Sequence, residues 1–387
     1  MSTAPVPSEK DMNGWSDGGG DVVALCLKQK LLPVDGESGV VFPATYADIG
    51  YSIDTFPDGT SVAQIDSVGS QANRMEPLFK GPPLSGLVPA VTITVPEKDL
   101  KRMVSLFDVG HRLADALLRS TEGRAQVTDA FSAYIGGNAT PMAKLAPTSI
   151  VFGAWDSRGA GAKLPRVVQA VIRAYDVRTL HRAAQYVPPV DYAAAGVISE
   201  QEKVAAEAGE KSPDAQRGFV HVPAVWRNEA HTERVLGGVI ANGGIWREVN
   251  VNLIVIRALR GSGDEDGSRL RRYILGLALA VVAQPQENFL RQGCILTEDP
   301  ALPAVWELVY RDGTRTQVSI KAEVALAYAT QAARAFGVGG ERDFTFDPKL
   351  AMADRDEAGT RKAKKAKGAK AAGASGDAAP EPQEAES

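Results

Sequence analysis

The sequence predicts an α+β fold in which helices pack against one face of a sheet. Residues 166–176 alternate strictly between apolar and polar positions, and the apolar members are Val168, Ala170, Ile172 and Ala174. Such period-two alternation is typical of a half-buried strand. Residues 268–284 and 321–336 instead have the length and composition of helices, stopped by Pro285 and Gly337. Strands joined by a few helices in this order are typical of an α+β domain.

The remaining elements follow in chain order. Strands are predicted over residues 21–32, 62–66, 148–155 and 247–257, and a hairpin over residues 306–310 and 315–320 turns at Asp312 and Gly313. Residues 102–120 have an apolar stripe and predict an amphipathic helix. Arg102, Arg112 and Arg119 lie off that stripe, which predicts a solvated basic face.

Composition excludes several classes of protein. The chain has 387 residues, of which 44% are hydrophobic and 23% charged, as in an ordinary soluble protein. A formal net charge of −4 means that any nucleic-acid surface must be a local patch. Cys26 and Cys294 lack metal-like spacing, and no apolar run is long enough to cross a bilayer. We therefore expect a cytoplasmic protein without disulfide, metal, cofactor or membrane association.

The first candidate site is the turn at residues 67–74, called the first corner. A helix begins there, and the unpaired N–H groups and positive dipole end of a helix attract anions. The residues that supply donors, or a close approach to the backbone, are Ser67, Gly69, Ser70, Gln71, Asn73 and Arg74. The alternative is a capped helix whose serine and asparagine side chains only satisfy its own end.

Three runs of sequence resemble one protein family. They are DSVGSQANRME at residues 66–76, APTSIVFGAWDSRG at residues 146–159 and KLPRVVQAVIRAYDV at residues 163–177. Together they are similar to the RAMP-type backbone subunit of the type I CRISPR effector complex, the Cas seven family, in the subtype named U or G. The resemblance covers roughly residues 22–338. It implies a ferredoxin-like (RRM-like) palm with long finger and thumb insertions.

The second candidate site is the loop at residues 156–166, called the second corner. It places three cations and two glycines within eleven residues, so it can wrap a phosphodiester backbone. The alternative for this loop is a flexible connection between two strands. Trp155 also has two interpretations, because it either stacks on a base or closes an apolar core. The predicted RNA-binding residues in and after this loop are Trp155, Ser157, Arg158, Gly159, Lys163, Arg166 and Arg173.

The resemblance also implies a domain organisation. A palm over residues 21–340 carries a finger insertion at about residues 81–147 and a thumb or web insertion at about residues 178–234. Residues 1–20 are rich in Gly, Ser and Pro and predict a flexible N-terminus. Residues 341–387 contain a basic run followed by acidic residues and predict a disordered charged tail.

The function implied by the resemblance is non-catalytic binding of a CRISPR guide RNA. Copies of the chain would polymerise along the RNA in a helical filament and present it for pairing with a target DNA strand. The other implied partners are the large subunit and the subunit that caps or processes the RNA end. Base pairing reads the sequence in such complexes, so the protein needs only to hold the backbone.

Two alternatives stay open. The chain could be an endoribonuclease that uses Asp66 or Asp156, although no paired acid and base is evident in the sequence. It could also be an interaction scaffold that binds no nucleic acid.

Overall fold

The computed structural model describes residues 4–18, 20–47, 49–97, 100–157, 161–182, 185–207, 213–223 and 235–356. The predicted site residues Arg158 and Gly159 lie outside the described residues, as does the part of the predicted tail from residue 357 onward.

Runs of strands and runs of helices follow one another along the chain. The helices are α1 (Glu9–Asp17), α2 (Val68–Met75), α3 (Ala116–Arg119), α4 (Arg124–Ile135), α5 (Thr140–Leu145), α6 (Thr148–Val151), α7 (Glu200–Glu207), α8 (Pro213–Arg217), α9 (Leu253–Ala258), α10 (Asp264–Ala283) and α11 (Ala322–Phe336). The strands are β1 (Val22–Pro33), β2 (Thr45–Tyr46), β3 (Gly50–Tyr51), β4 (Ile53–Thr55), β5 (Ser61–Asp66), β6 (Val91–Glu97), β7 (Leu100–Ser105), β8 (Val168–Tyr175), β9 (Val177–Arg182), β10 (Gln185–Tyr186), β11 (Val222–Pro223), β12 (Val235–Ala241), β13 (Ile245–Asn252), β14 (Phe289–Arg291), β15 (Cys294–Glu298), β16 (Val305–Tyr310), β17 (Arg315–Val318) and β18 (Arg342–Thr345).

A large antiparallel sheet organises the fold. In the described residues its strand order is β14-β15-β1-β13-β8-β5-β4, with β16 also paired to β1 and β17 paired to β16. Strand β1 is long enough to pair with β16 along its first part and with β15 at its end. The predicted α+β class is therefore confirmed.

The two faces of the sheet differ as the alternation predicts. The apolar positions of β8 are buried on an inner face and the polar positions face outward. Val168 and Ala170 belong to the core that contains the helices, and Ile172 and Ala174 belong to a second core formed mostly by strand residues. Strand β13 continues the pattern, with Val249 and Val251 on the inner face and Asn250 on the outer face. Strand β5, which pairs with β8, leads directly into helix α2, where the first corner lies.

Helices α10 and α11 form the centre of the apolar layer below the sheet. Helix α10 is almost wholly buried from Leu270 onward. It packs closely against α11, because a Cβ added to Gly276 would lie 2.9 Å from Cα of Ala329. The predicted helices and the predicted hairpin near Asp312 are confirmed at these places, although α10 begins at Asp264, before the predicted start at residue 268.

The predicted flexible N-terminus is wrong over residues 9–17. Helix α1 begins with a capping box in which Ser8 and Asp11 each accept from the other's backbone N–H. Met12 and Trp15 are buried in the main core, so the amphipathic side of α1 holds the segment in place.

Two predictions of secondary structure between the corners are also wrong. Residues 102–120 form the end of β7 and short helical turns rather than one helix, and Arg112 and Arg119 are buried rather than solvated. The predicted strand over residues 148–155 contains helix α6, every residue of which is buried. A short apolar run that is buried on all sides carries no periodicity that separates a strand from a helix. The end of the strand predicted over residues 247–257 likewise forms α9.

The predicted disordered tail is wrong in its first part. Strand β18 pairs in parallel with β6, and β6 pairs with β7, so that the C-terminal segment joins a separate three-stranded sheet. Residues 348–356 are helical. The finger and thumb insertions stay predictions. In the described residues, no helix combines the length and apolar character needed to cross a membrane.

Candidate functional site

The first corner follows directly from strand β5. Ser67 caps α2 by accepting a hydrogen bond from the Ser70 N–H at 3.2 Å, and the two hydroxyls lie 3.1 Å apart. The first N–H groups of a helix have no partner within it. A Cβ added to Gly69 would meet only Ser67 Oγ, at 3.9 Å, so the space over this turn is open. The corner thus combines the predicted cap with room for an anion.

Asp66 is a buried carboxylate that organises this corner from below. It is 1% exposed and accepts from Gln71 Nε2 at 2.8 Å, from Arg74 Nε at 3.0 Å and from Arg291 Nη2 at 3.0 Å. Arg74 also donates to the Leu290 carbonyl at 2.7 Å. Gln71 and Arg74 therefore donate hydrogen bonds to groups of the protein itself, and these bonds connect α2 to β5 and β14.

Arg112 joins the first corner to the segment that precedes the second. Its side chain is buried, and Nε forms an ion pair of 2.7 Å with Oε2 of Glu76, directly after α2. Nη2 donates to Asn73 Oδ1 at 3.2 Å, and Nη1 donates to the Gly153 carbonyl at 3.3 Å. The guanidinium also lies over the ring of Phe152. One side chain thus contacts α2 and the chain just before Trp155.

We call the contacts of Arg112 with Glu76, Asn73 and Gly153 the junction. Arg166 lies beside it, against Phe152 and Gly153. Its Nε donates to the Phe152 carbonyl at 3.0 Å, and its Cγ would lie 2.8 Å from a Cβ on Gly153. Gly153 has φ of +80°, so a side chain there would be both strained and obstructed. Burial, and then the neighbouring charge of Arg112, lowers the pKa of Arg166. The structure therefore brings both Asn73 and Arg166 into the neighbourhood of Arg112.

The second corner is anchored by a buried ion pair. Asp156 is 1% exposed and lies 2.6 Å from Arg119 Nη2. Trp155 is 62% exposed and forms an isolated antiparallel bridge with Lys163, so it is not a core residue. Ser157 and Lys163 are exposed, and in the described residues no carboxylate pairs with Lys163. Of the predicted cations, Lys163 and Arg166 are those that the described structure leaves without a carboxylate partner.

Arg173 occupies the outer face of the sheet, away from this junction. It donates to Glu248 Oε2 at 2.8 Å, and Tyr175 donates to the same carboxylate. Burial, and then its contact with Glu248, raises the pKa of Tyr175. A cleft of about 520 Å³ opens here and reaches Val68 of the first corner, so Arg173 faces a space continuous with α2 although its charge is balanced.

Sequence reasoning missed three arginines around α2. Arg112 was assigned to a solvated face, and Arg247 and Arg291 were not singled out. A signal for Arg247 existed, because it shares the inward parity of Val249 and Val251 in β13. With Arg74 and Arg166 these residues place more positive than negative charge near α2, where the paired carboxylates are Asp66 and Glu76. The local charge is thus opposite in sign to that of the whole chain.

The acids that an endoribonuclease would require are held in ion pairs. Asp66 faces two arginines and Asp156 faces Arg119, and both carboxylates are buried. His111 and His181 are exposed and belong to different elements. Across the described ranges, no group of three or more metal-ligating side chains is assembled.

Part of the chain matches a family of known proteins. Residues 25–179 match the family model described as CRISPR-associated protein GSU0053 (Cas_GSU0053). The match covers about two fifths of the 387 residues and includes both corners and Arg112. None of the curated proteins matches the chain.

Proposed function

We propose that this chain, of which residues 25–179 match the model of the CRISPR-associated GSU0053 family, takes part in CRISPR defence as the guide-RNA-binding backbone subunit of an effector complex. It binds the ribose-phosphate chain without cutting it. Several copies follow one another along the RNA and leave its bases free to pair with a target DNA strand. The large subunit and an RNA-end-binding subunit complete the assembly.

The junction at Arg112 carries this proposal. It joins the last part of α2, through Asn73, to Gly153, which lies just ahead of the loop that bears Lys163 and Arg166. An RNA backbone has one phosphate per nucleotide, so a binding surface must offer donors and cations at more than one point. Two corners held together by a buried side chain meet that requirement.

The absence of catalysis is part of the same proposal. General acid–base cleavage requires a carboxylate or imidazole within hydrogen-bonding reach of the proton that moves. Asp66 and Asp156 are buried against arginines, which supports a structural role for both. Exposed groups at the corners are hydroxyls, amides and cations, which suit binding rather than proton transfer.

We also propose that the sheet is a ferredoxin-like palm. The order β16-β1-β13-β8, with every neighbouring pair antiparallel, supports this topology. Helix α2 and its neighbours lie between β1 and β8, and α10 lies between β13 and β16. In this arrangement β5 is an additional strand that delivers the first corner to the edge of the palm.

RNA binding at graded salt concentrations tests the proposal. The purified chain should show an absorbance ratio that indicates bound nucleic acid, and it should bind labelled polyuridine with an affinity that falls as salt rises. Lys163→Ala should weaken binding and reduce the slope of log affinity against log salt by about 0.7, the value for one lost single-strand phosphate contact. Lys349→Ala is the matched control, because this exposed lysine lies on another element. A chain that binds no RNA at low salt would contradict the proposal and favour a protein scaffold.

A further inference from the structure

Arg247 is a buried cation that takes no part in the contacts of the junction. It lies in β13 and is 1% exposed. Nη1 donates to Gln29 Oε1 at 3.3 Å, and Nη2 lies 3.5 Å from Met75 Sδ. Its Nε has no hydrogen-bond partner, and among the described residues no carboxylate lies within ion-pair distance. The charge is therefore desolvated without an ion-pair partner, and Glu298 is a carboxylate whose charge acts on it from a greater distance.

This arrangement disfavours folding, because an uncompensated buried charge loses its hydration and gains little in return. Burial lowers the pKa of Arg247 to about 10, so the guanidinium remains charged at neutral pH. A methionine or glutamine would fill similar space without the charge. Arg247 is therefore a fixed positive charge inside the fold that lowers its stability.

The register of the sheet places Arg247 near the first corner. Arg247 pairs with Ile172 on β8, and Ile172 pairs with Asp66 on β5. Two strand spacings separate Arg247 from Asp66, so their Cα atoms lie about 10 Å apart. The contact with Met75 places the guanidinium beside the last residue of α2, at the opposite end of this helix from its cap at Ser67.

We propose that Arg247 raises the affinity of the first corner for RNA phosphates by acting through space, as a fixed positive charge beneath α2. This inference rests on the proposed function. Arg247 does not touch the RNA; it positions no ligand atom and contributes only its field. At an effective dielectric constant of about 20, a unit charge on the order of 12 Å from a phosphate changes affinity roughly tenfold.

Two neutral replacements separate this role from a structural one. Arg247→Met and Arg247→Gln both remove the charge, but they differ in polarity and therefore in stability. Both should weaken polyuridine binding by roughly three- to tenfold at low salt, and less at high salt, where screening is stronger. The melting temperature of Arg247→Met should equal or exceed that of the wild type, because an unpaired buried charge has been removed.

Met75→Leu is the matched control. It alters packing at the same contact without changing charge, so RNA affinity should stay at the wild-type value. Wild-type affinity in both neutral variants would overturn the inference, and so would affinities that follow the melting temperatures across the set. A wild-type chain that binds no polyuridine would instead overturn the proposed function.

Discussion

Arg112 and Asn73 meet through a hydrogen bond of 3.2 Å, although they are far apart in the sequence. The bond joins the last part of α2 to a buried arginine that also contacts Gly153 ahead of the second corner. Relative movement of the two corners would break it. The spacing between the corners is therefore fixed by one side chain rather than by loop sequence.

Arg112→Met should lower both stability and RNA affinity. At pH 8, above the pKa of about 7, the substitution leaves Glu76 as a buried carboxylate without its ion-pair partner, and breaking a buried pair from one side costs about 3–5 kcal/mol. Thermal denaturation followed by circular dichroism measures the loss. Arg269→Ala is the control, because Arg269 forms an exposed pair with Glu265 within one helix, and its loss should cost under about 0.5 kcal/mol. Equal effects from the two variants would show that Arg112 is not a structural link.

Arg74→Ala should destabilise the fold, in addition to any effect on RNA. The arginine ties Asp66 to the carbonyls of Phe289 and Leu290, so its removal unbinds β14 from α2. We expect a loss of about 2 kcal/mol or more, since hydrogen bonds to a charged group contribute about 1.5–3 kcal/mol each. Arg173→Ala provides the comparison, because its single pair with Glu248 is partly exposed and is worth under about 1 kcal/mol. An unchanged urea midpoint for Arg74→Ala would refute this interpretation.

Glu76 should make stability depend on pH between about 4.5 and 7. Burial raises the pKa of this carboxyl to about 7, against the attraction of Arg112. The folded state then holds the proton more tightly than the unfolded chain, so this stabilising contribution is complete below pH 4.5 and is lost as pH rises through 7. Glu76→Gln removes the titration. The melting temperature of the wild type minus that of Glu76→Gln should therefore fall from pH 4.5 to pH 7.5, and a rise over this interval would contradict the assigned pKa.

The alternation of apolar and polar residues predicted the strands of the sheet, because successive residues of a half-buried strand face the core and the solvent in turn. Strand β8 and most of β13 illustrate this. The segment containing Arg112 and Arg119 was misread, because their partners Glu76 and Asp156 are distant in sequence and no local pattern records such pairs. The capping box of Ser8 and Asp11, in contrast, is a local signal that could have identified α1.

The candidate site was predictable only where its features depend on residues that are neighbours in the sequence. The cap at Ser67 and the exposed Lys163 follow from neighbouring residues. The engagement of Gln71 and Arg74 by Asp66 does not, since it depends on β14 arriving beside β5 from far along the chain. Local chemistry therefore identified where the corners are, and tertiary contacts determine which of their donors remain free.

Two glycines should respond in opposite ways to substitution. Gly276→Val places a side chain against Ala329 at the crossing of α10 and α11, and overpacking of this kind costs about 1–3 kcal/mol. Gly14→Ala in α1 meets no atom within 4 Å and should stabilise the protein by up to about 1 kcal/mol. Chemical denaturation of both variants checks the pair. Stabilisation by Gly276→Val would show that the two helices are not in close contact.

Photochemical crosslinking tests the central claim most directly. RNA containing 4-thiouridine is bound to the wild-type chain and irradiated, and the crosslinked peptides are identified by mass spectrometry. Adjacent corners that hold one RNA backbone should give crosslinks both in residues 67–74 and in residues 161–166. Crosslinks confined to the outer face of the sheet or to the tail, with neither corner labelled, would contradict the account.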